Sequence, residues 1–167
     1  INTINGNRNW MHAREAELKA DFWGKDIDLL KPIIQPGFSD SGSLDNALEV
    51  LVMSGRSLLH AMMMLVPPAL EAEDDVDADV KGFFDYHACL NEPWDGPAAL
   101  VYSDGLTVGA TLDRNGLRPA RYKITSDGMV VMGSEVGLIE VDDKTVVEKG
   151  RLAPGEMLAV DTVKGVV

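Results

Sequence analysis

Residues 99–113, ALVYSDGLTVGATLD, decide the fold class. Two β-prone runs flank Ser103-Asp104-Gly105, and an Asp-Gly pair between such runs is a strong short-range hairpin signal. Residues 121–135, RYKITSDGMVVMGSE, use the same device around Asp127-Gly128. The two stretches share turn chemistry but are not a sequence repeat. Residues 137–162 continue with short strand candidates separated by Gly and Pro turns.

Upstream of Ala98 the texture is helical. Residues 7–24, NRNWMHAREAELKADFWG, place Trp10, Ala13, Leu18 and Phe22 near one face, with Gly24 as the stop. Residues 25–43 carry two prolines and two glycines, which predicts a strand or loop passage. From Leu44 to Val66 apolar or small residues recur at helical spacing, including Gly55, and predict one long helix buried along one side. Ser43 sits where its N-cap belongs, and Pro67-Pro68 ends it. The sulfur-rich HAMMML at 60–65 reads as core filler, because Met packs irregular gaps. A further short helix is expected within 80–96, ended by Pro93 and Asp95-Gly96. Helices first and antiparallel hairpins after give an α+β layout.

Bulk properties narrow the function. At 167 residues the length suits a single domain, and 46% apolar content supports a core. The net charge of −12 repels phosphate backbones, so nucleic acid is not the expected partner. No apolar run reaches the ~18 residues needed to span a membrane, and no signal peptide is visible. The single Cys89 excludes an internal disulfide. The expected setting is cytoplasmic. Six acids between Glu71 and Asp79 lack the fixed ligand pattern of a calcium loop and read as a solvated segment. His12, His60 and His87 lie far apart without metal-ligand spacing. His87 and Cys89 point to different helix faces, which argues against a Cys/His nucleophile. No metal site is expected.

Three stretches, taken in order, go further. TINGNRNW (3–10) resembles the Asn-Gly segment of glutamine amidotransferases of the N-terminal-nucleophile type. FSDSGSLDNALE (38–49) resembles that family's Ser-Asp-Ser turn leading into a helix. LDRNGLRPARYKIT (112–125), followed by MGSEVG (132–137), resembles its Arg-Pro hairpin and Ser-Glu strand. DGPAALVYSDG (95–105) and APGEMLAVD (153–161) narrow the likeness to the glutaminase domain of glutamate synthases. The resemblance covers nearly the whole chain, apart from the acidic segment.

That resemblance implies a four-layer αββα sandwich, of which residues 1–167 are the later part as one domain piece. The family's nucleophile is a cysteine at the mature N-terminus, whose thiolate attacks the side-chain amide of glutamine. Ile1 is therefore expected to be internal to a longer domain, with the nucleophile upstream and the 167 residues inactive alone. By the same likeness, Asn5 and Gly6 form the oxyanion hole, and Asp40 receives the α-ammonium of L-glutamine. Arg114, Arg118 and Arg121 beside Asp113 and Glu135 are expected to act as charged buttresses of the sheet. Asp45 and Asn46 are explained by capping and the helix dipole. Ammonia would pass to 2-oxoglutarate in a synthase domain holding FMN and an iron–sulfur cluster, neither of them bound by this chain. The alternative is a non-catalytic interaction module that pairs through strand edges with an upstream piece, another chain or itself.

Overall fold

The computed structural model describes residues 6, 8–70, 75–135 and 137–167. Asn5 and the start of the acidic run, residues 71–74, lie outside them. The chain divides into two compact units, Ile1–Gly96 and Pro97–Val167. Helices occupy the first and antiparallel strands the second, so the α+β order holds.

In the first unit α1 spans Arg8–Glu15, shorter than the periodicity predicts. Chain bonds of the i→i+3 kind follow it, from Ala16 to Ala13 and from Glu17 to Arg14. Glu15 turns its carboxylate to the Ile34 amide at 2.9 Å instead of continuing the helix. The expected apolar face is not buried: Trp10 is 54% and Phe22 72% exposed. A 3₁₀ helix covers Gly24–Leu30 where a strand or loop was expected, and the Lys31–Pro32 bond is cis.

The long helix predicted over 44–66 is two helices, α2 (Asp40–Met53) and α3 (Leu58–Leu65). The break is a Schellman motif: Gly55 N–H donates to Val52 O, and Arg56 N–H reaches Leu51 O. Gly55 sits at φ +100°, where a side chain is strained. Ser57 then caps α3 by accepting from His60 N. The cap of α2 is Ser39 rather than Ser43; its hydroxyl accepts from Gly42 N at 3.2 Å. Ser43 is instead buried one turn on, donating to Ser39 O. Of the predicted stripe, Leu44, Ala47, Leu58, Met62 and Val66 are buried, while Leu48, Leu51, Val52, Leu59 and Met63 are half-buried; α3 also buries Ala61, Met64 and Leu65, which the stripe left out. Burying each large side chain here contributes ~1.5–3 kcal/mol. Asp77 caps α4 (Ala78–Ala88), which ends earlier than Pro93.

The second unit holds two three-stranded antiparallel sheets. In the first, β1 (Ala99–Ser103), β2 (Thr107–Leu112) and β6 (Met157–Asp161) pair in the order β1-β2-β6. In the second, β3 (Arg121–Thr125), β4 (Val130–Gly133) and β5 (Val146–Arg151) pair as β4-β3-β5. Both Asp-Gly hairpins form as the turn chemistry predicts. Asp104 Oδ1 accepts from the Leu106 and Thr107 amides, and this holds its carboxyl below the usual range. Leu112, Ala120 and Leu152 form a buried cluster with Tyr122, Met132 and Leu158 packed against it. That cluster draws on both sheets.

Candidate functional site

The start of α2 is built from one short run. Ser39 satisfies an orphan amide of the first turn, which fixes Asp40 as the first helical residue. A carboxylate there is favoured by the helix dipole. Its Oδ1 accepts from Arg8 Nη2 at 2.6 Å, an ion pair 32 residues apart in sequence. Among the described residues Oδ2 has no partner. The side chains are 38% (Arg8) and 24% (Asp40) exposed. Asp40 thus presents one oxygen paired with Arg8 and one that is open among the described residues.

Arg8 is the residue that sequence reasoning missed. It opens α1 directly after the Asn-Gly segment, so the ion pair joins two of the three stretches singled out above. Gly6 packs on the buried indole of Trp94: a Cβ on Gly6 would lie 2.4 Å from Trp94 Cε2. Trp94 is held in turn by its amide, which donates to Leu65 O at 2.7 Å. The glycine therefore has a packing reason for its identity. Asn5, the other oxyanion candidate, lies outside the described residues.

A cavity of about 310 Å³ in the same unit is lined by Met11, Leu18, Ile34, Val50 and Leu51, among others, but not by Gly6, Arg8 or Asp40. The Arg14 guanidinium pairs with Glu92 at 2.7 Å and holds that carboxyl below its usual range.

The histidines are not all apart. His60 and His87, on α3 and α4, meet Nε2 to Nε2 at 2.8 Å. His87 Nδ1 lies 2.7 Å from Phe83 O, a carbonyl that can only accept. With Nδ1 carrying the proton, neutral His87 accepts at Nε2, and His60 Nε2–H donates. Burial, then the neighbouring His87 and Arg56, push the His60 pKa down. Cys89 is exposed and donates Sγ–H to Asp85 O, away from the His60–His87 contact. Among the described residues no three potential ligands gather into a metal site. No described helix is long and apolar enough to cross a membrane.

The buttress expectation centres on Asp113 in the second unit. Asp113 is 1% exposed, and its carboxylate accepts from backbone amides: Ala98 N at 2.9 Å, Asn115 N at 3.0 Å and Leu117 N at 3.4 Å. Arg118 and Arg121 are exposed. The carboxylate ties the loop after β2 to the chain entering β1. Gly116 takes φ +60° in that turn, and a Cβ would strike Pro154.

A family model for class-II glutamine amidotransferases matches residues 1–167. The chain is 54% identical to ferredoxin-dependent glutamate synthase 2 of Synechocystis sp. over 164 residues, covering 96% of this chain and 10% of that protein. It is 51% identical to glutamate synthase [NADH] of Saccharomyces cerevisiae over 166 residues, 99% of the chain and 8% of that protein. It is 47% identical to the glutamate synthase [NADPH] large chain of Bacillus subtilis over 165 residues, 99% of the chain and 11% of that protein. The chain thus spans about a tenth of the length of these relatives.

Proposed function

The chain belongs to the class-II glutamine amidotransferases, and on that premise we propose that it forms the glutamine-holding part of a glutaminase unit in a glutamate synthase. The supporting observation is Asp40: a carboxylate at a helix start, one oxygen engaged by Arg8 and the other open among the described residues. In this reading the open oxygen accepts the α-ammonium of L-glutamine. Arg8 keeps the carboxylate oriented and carries no contact with the reacting amide.

The reaction follows from the family's chemistry. A cysteine thiolate, supplied by a segment upstream of Ile1, adds to the side-chain carbonyl carbon of glutamine. Charge builds on the carbonyl oxygen, which Asn5 and the Gly6 amide stabilise. The cysteine's α-amino group passes a proton to the amide nitrogen, the C–N bond breaks to leave ammonia and a thioester, and water cleaves the thioester to release glutamate and the thiol. Ammonia passes to 2-oxoglutarate in a synthase domain. The chain forms the later part of a single four-layer sandwich domain in this proposal. A lone cysteine cannot supply the thiolate set of an iron–sulfur cluster, so the donor set does not fit one, and FMN and the cluster are assigned to other domains. Identity near 50% to relatives named for ferredoxin, NADH and NADPH supports a part common to all three.

Asp40→Asn in the full-length enzyme tests the reading. Losing one partner of a hydrogen-bonded charge pair costs roughly 2–5 kcal/mol, so the glutamine KM rises at least tenfold while activity with free ammonia persists. An unchanged KM overturns the assignment. Asn5→Ala is the better oxyanion probe, because Gly6→Ala would collide with Trp94 whatever its role. Loss of one oxyanion donor lowers kcat about 10²–10³-fold.

A further inference from the structure

Strands β3 and β5 pair Arg121 opposite Arg151 and Lys123 opposite Lys149. Directly opposed residues in an antiparallel pair project to the same face, as do residues two apart on a strand. Four cations therefore share one face of this sheet. The opposite face carries Tyr122, which packs on the apolar cluster with Met132. Like charges directly opposed destabilise a sheet, and the chain as a whole is strongly acidic at −12. A quarter of its 15 basic residues nonetheless converge here.

Their neutralisation is incomplete. Lys123 Nζ pairs with Asp143 at 2.9 Å, and Glu135 lines the same cavity. Among the described residues Arg121, Lys149 and Arg151 form no ion pair. The four cations edge a cavity of about 260 Å³ whose remaining wall includes Leu138, Ile139 and Val141. Gly133, opposite Arg121 in β4, lies under the Leu138 side chain, whose tip occupies the place of a Cβ. The cavity is concave, cationic on one side and apolar on the other.

We propose that this cavity binds a small multivalent anion, a phosphate ester or a short-chain polycarboxylate. Guanidinium groups grip either oxyanion with two parallel N–H donors. The ligand would supply the counter-charge that the opposed cations lack, and its carbon skeleton would rest on Leu138 and Ile139. The size suits a small metabolite better than an extended chain. The site stands independently of the glutaminase reading, since none of its residues serves glutamine there.

The test is calorimetric titration of the full-length protein with pyrophosphate and, separately, citrate, at constant ionic strength. Wild type is compared with an Arg121→Gln/Arg151→Gln double variant. We expect Kd for at least one probe to rise tenfold or more in the variant. Hydrogen-exchange protection on ligand addition should be confined to 121–125, 137–141 and 146–151. Binding of pyrophosphate alone identifies a phosphate ligand, citrate alone a carboxylate, and both a site reading charge only. Equal binding by the double variant overturns the proposal. So does binding of neither probe, including the case where the variant loses only an association with an acidic macromolecule. Should the double variant fail to fold, Lys149→Gln alone gives the same comparison with an expected several-fold loss.

Discussion

Asp113→Asn isolates what holds the strand-rich unit together. The carboxylate is buried and accepts from three backbone amides, of which Ala98 at 2.9 Å is in the interior and Leu117 at 3.4 Å is near the limit of a hydrogen bond. Hydrogen bonds to a charged acceptor contribute about 1.5–3 kcal/mol each. Ala98 takes the upper part of that range, Asn115 the lower part, and Leu117 little. Asp113→Ala removes both strong bonds and leaves a buried orphan N–H, for about 4 kcal/mol. Asp113→Asn keeps one acceptor but turns an NH₂ toward a donor, for about 2 kcal/mol. All three tryptophans, at 10, 23 and 94, lie in the first unit, so fluorescence is the wrong probe. Native-state hydrogen exchange in the full-length protein reads the site directly. At ~1.4 kcal/mol per decade, the Asn variant should exchange about 30-fold faster in peptides covering 97–117. Arg118→Gln, an exposed change, should stay within ~0.5 kcal/mol. If Arg118→Gln costs as much as Asp113→Asn, the charged-buttress reading stands and the backbone-anchor reasoning is refuted.

Two further outcomes are expected. The folded pKa of His60 is depressed, so the unfolded chain binds the proton more readily; stability is full above the ordinary histidine value and declines as pH falls from there toward the folded value. Exchange protection of α4, corrected for intrinsic rates, should fall between pH 7.5 and 5.5, and His60→Gln should flatten that profile; an unaltered profile removes the His60–His87 contact as its cause. Gly109→Ala on the central strand β2 puts a Cβ 2.2 Å from the Tyr102 ring and should cost about 2–3 kcal/mol, whereas Tyr102→Phe removes a buried hydroxyl that has no partner among the described residues and should gain up to about 1 kcal/mol; thermal unfolding of the two variants checks both signs.

Local chemistry was legible wherever a few adjacent residues settle the geometry. Asp104-Gly105 and Asp127-Gly128 make hairpins because a short carboxylate and a glycine meet the turn's needs within four residues. Apolar spacing named the buried Leu44 and Ala47 of α2 and Leu58 and Met62 of α3, but missed Ala61, Met64 and Leu65. It did not show where the helix stops, since periodicity reports a face and continues through Gly55 without marking the Schellman reversal. Ser43 was mistaken for the cap because it and Ser39 occupy equivalent places one turn apart. The resemblance was readable from residue types in order, and the family match bears it out.

Other features depend on segments that only folding brings together. Arg8 meets Asp40 across 32 residues, and His60 meets His87 across 27. Tertiary packing positions each partner, and no local spacing encodes either pair. Asp113 accepts from backbone amides because an interior N–H must find an acceptor. The opposition of Arg121 to Arg151 is a matter of strand register, fixed by how β3 pairs directly with β5, a strand that follows it in sequence only after β4. Sequence determined which residues could turn, cap and bury themselves; tertiary structure decided which charges and donors would face one another, because that depends on distances between segments rather than along them.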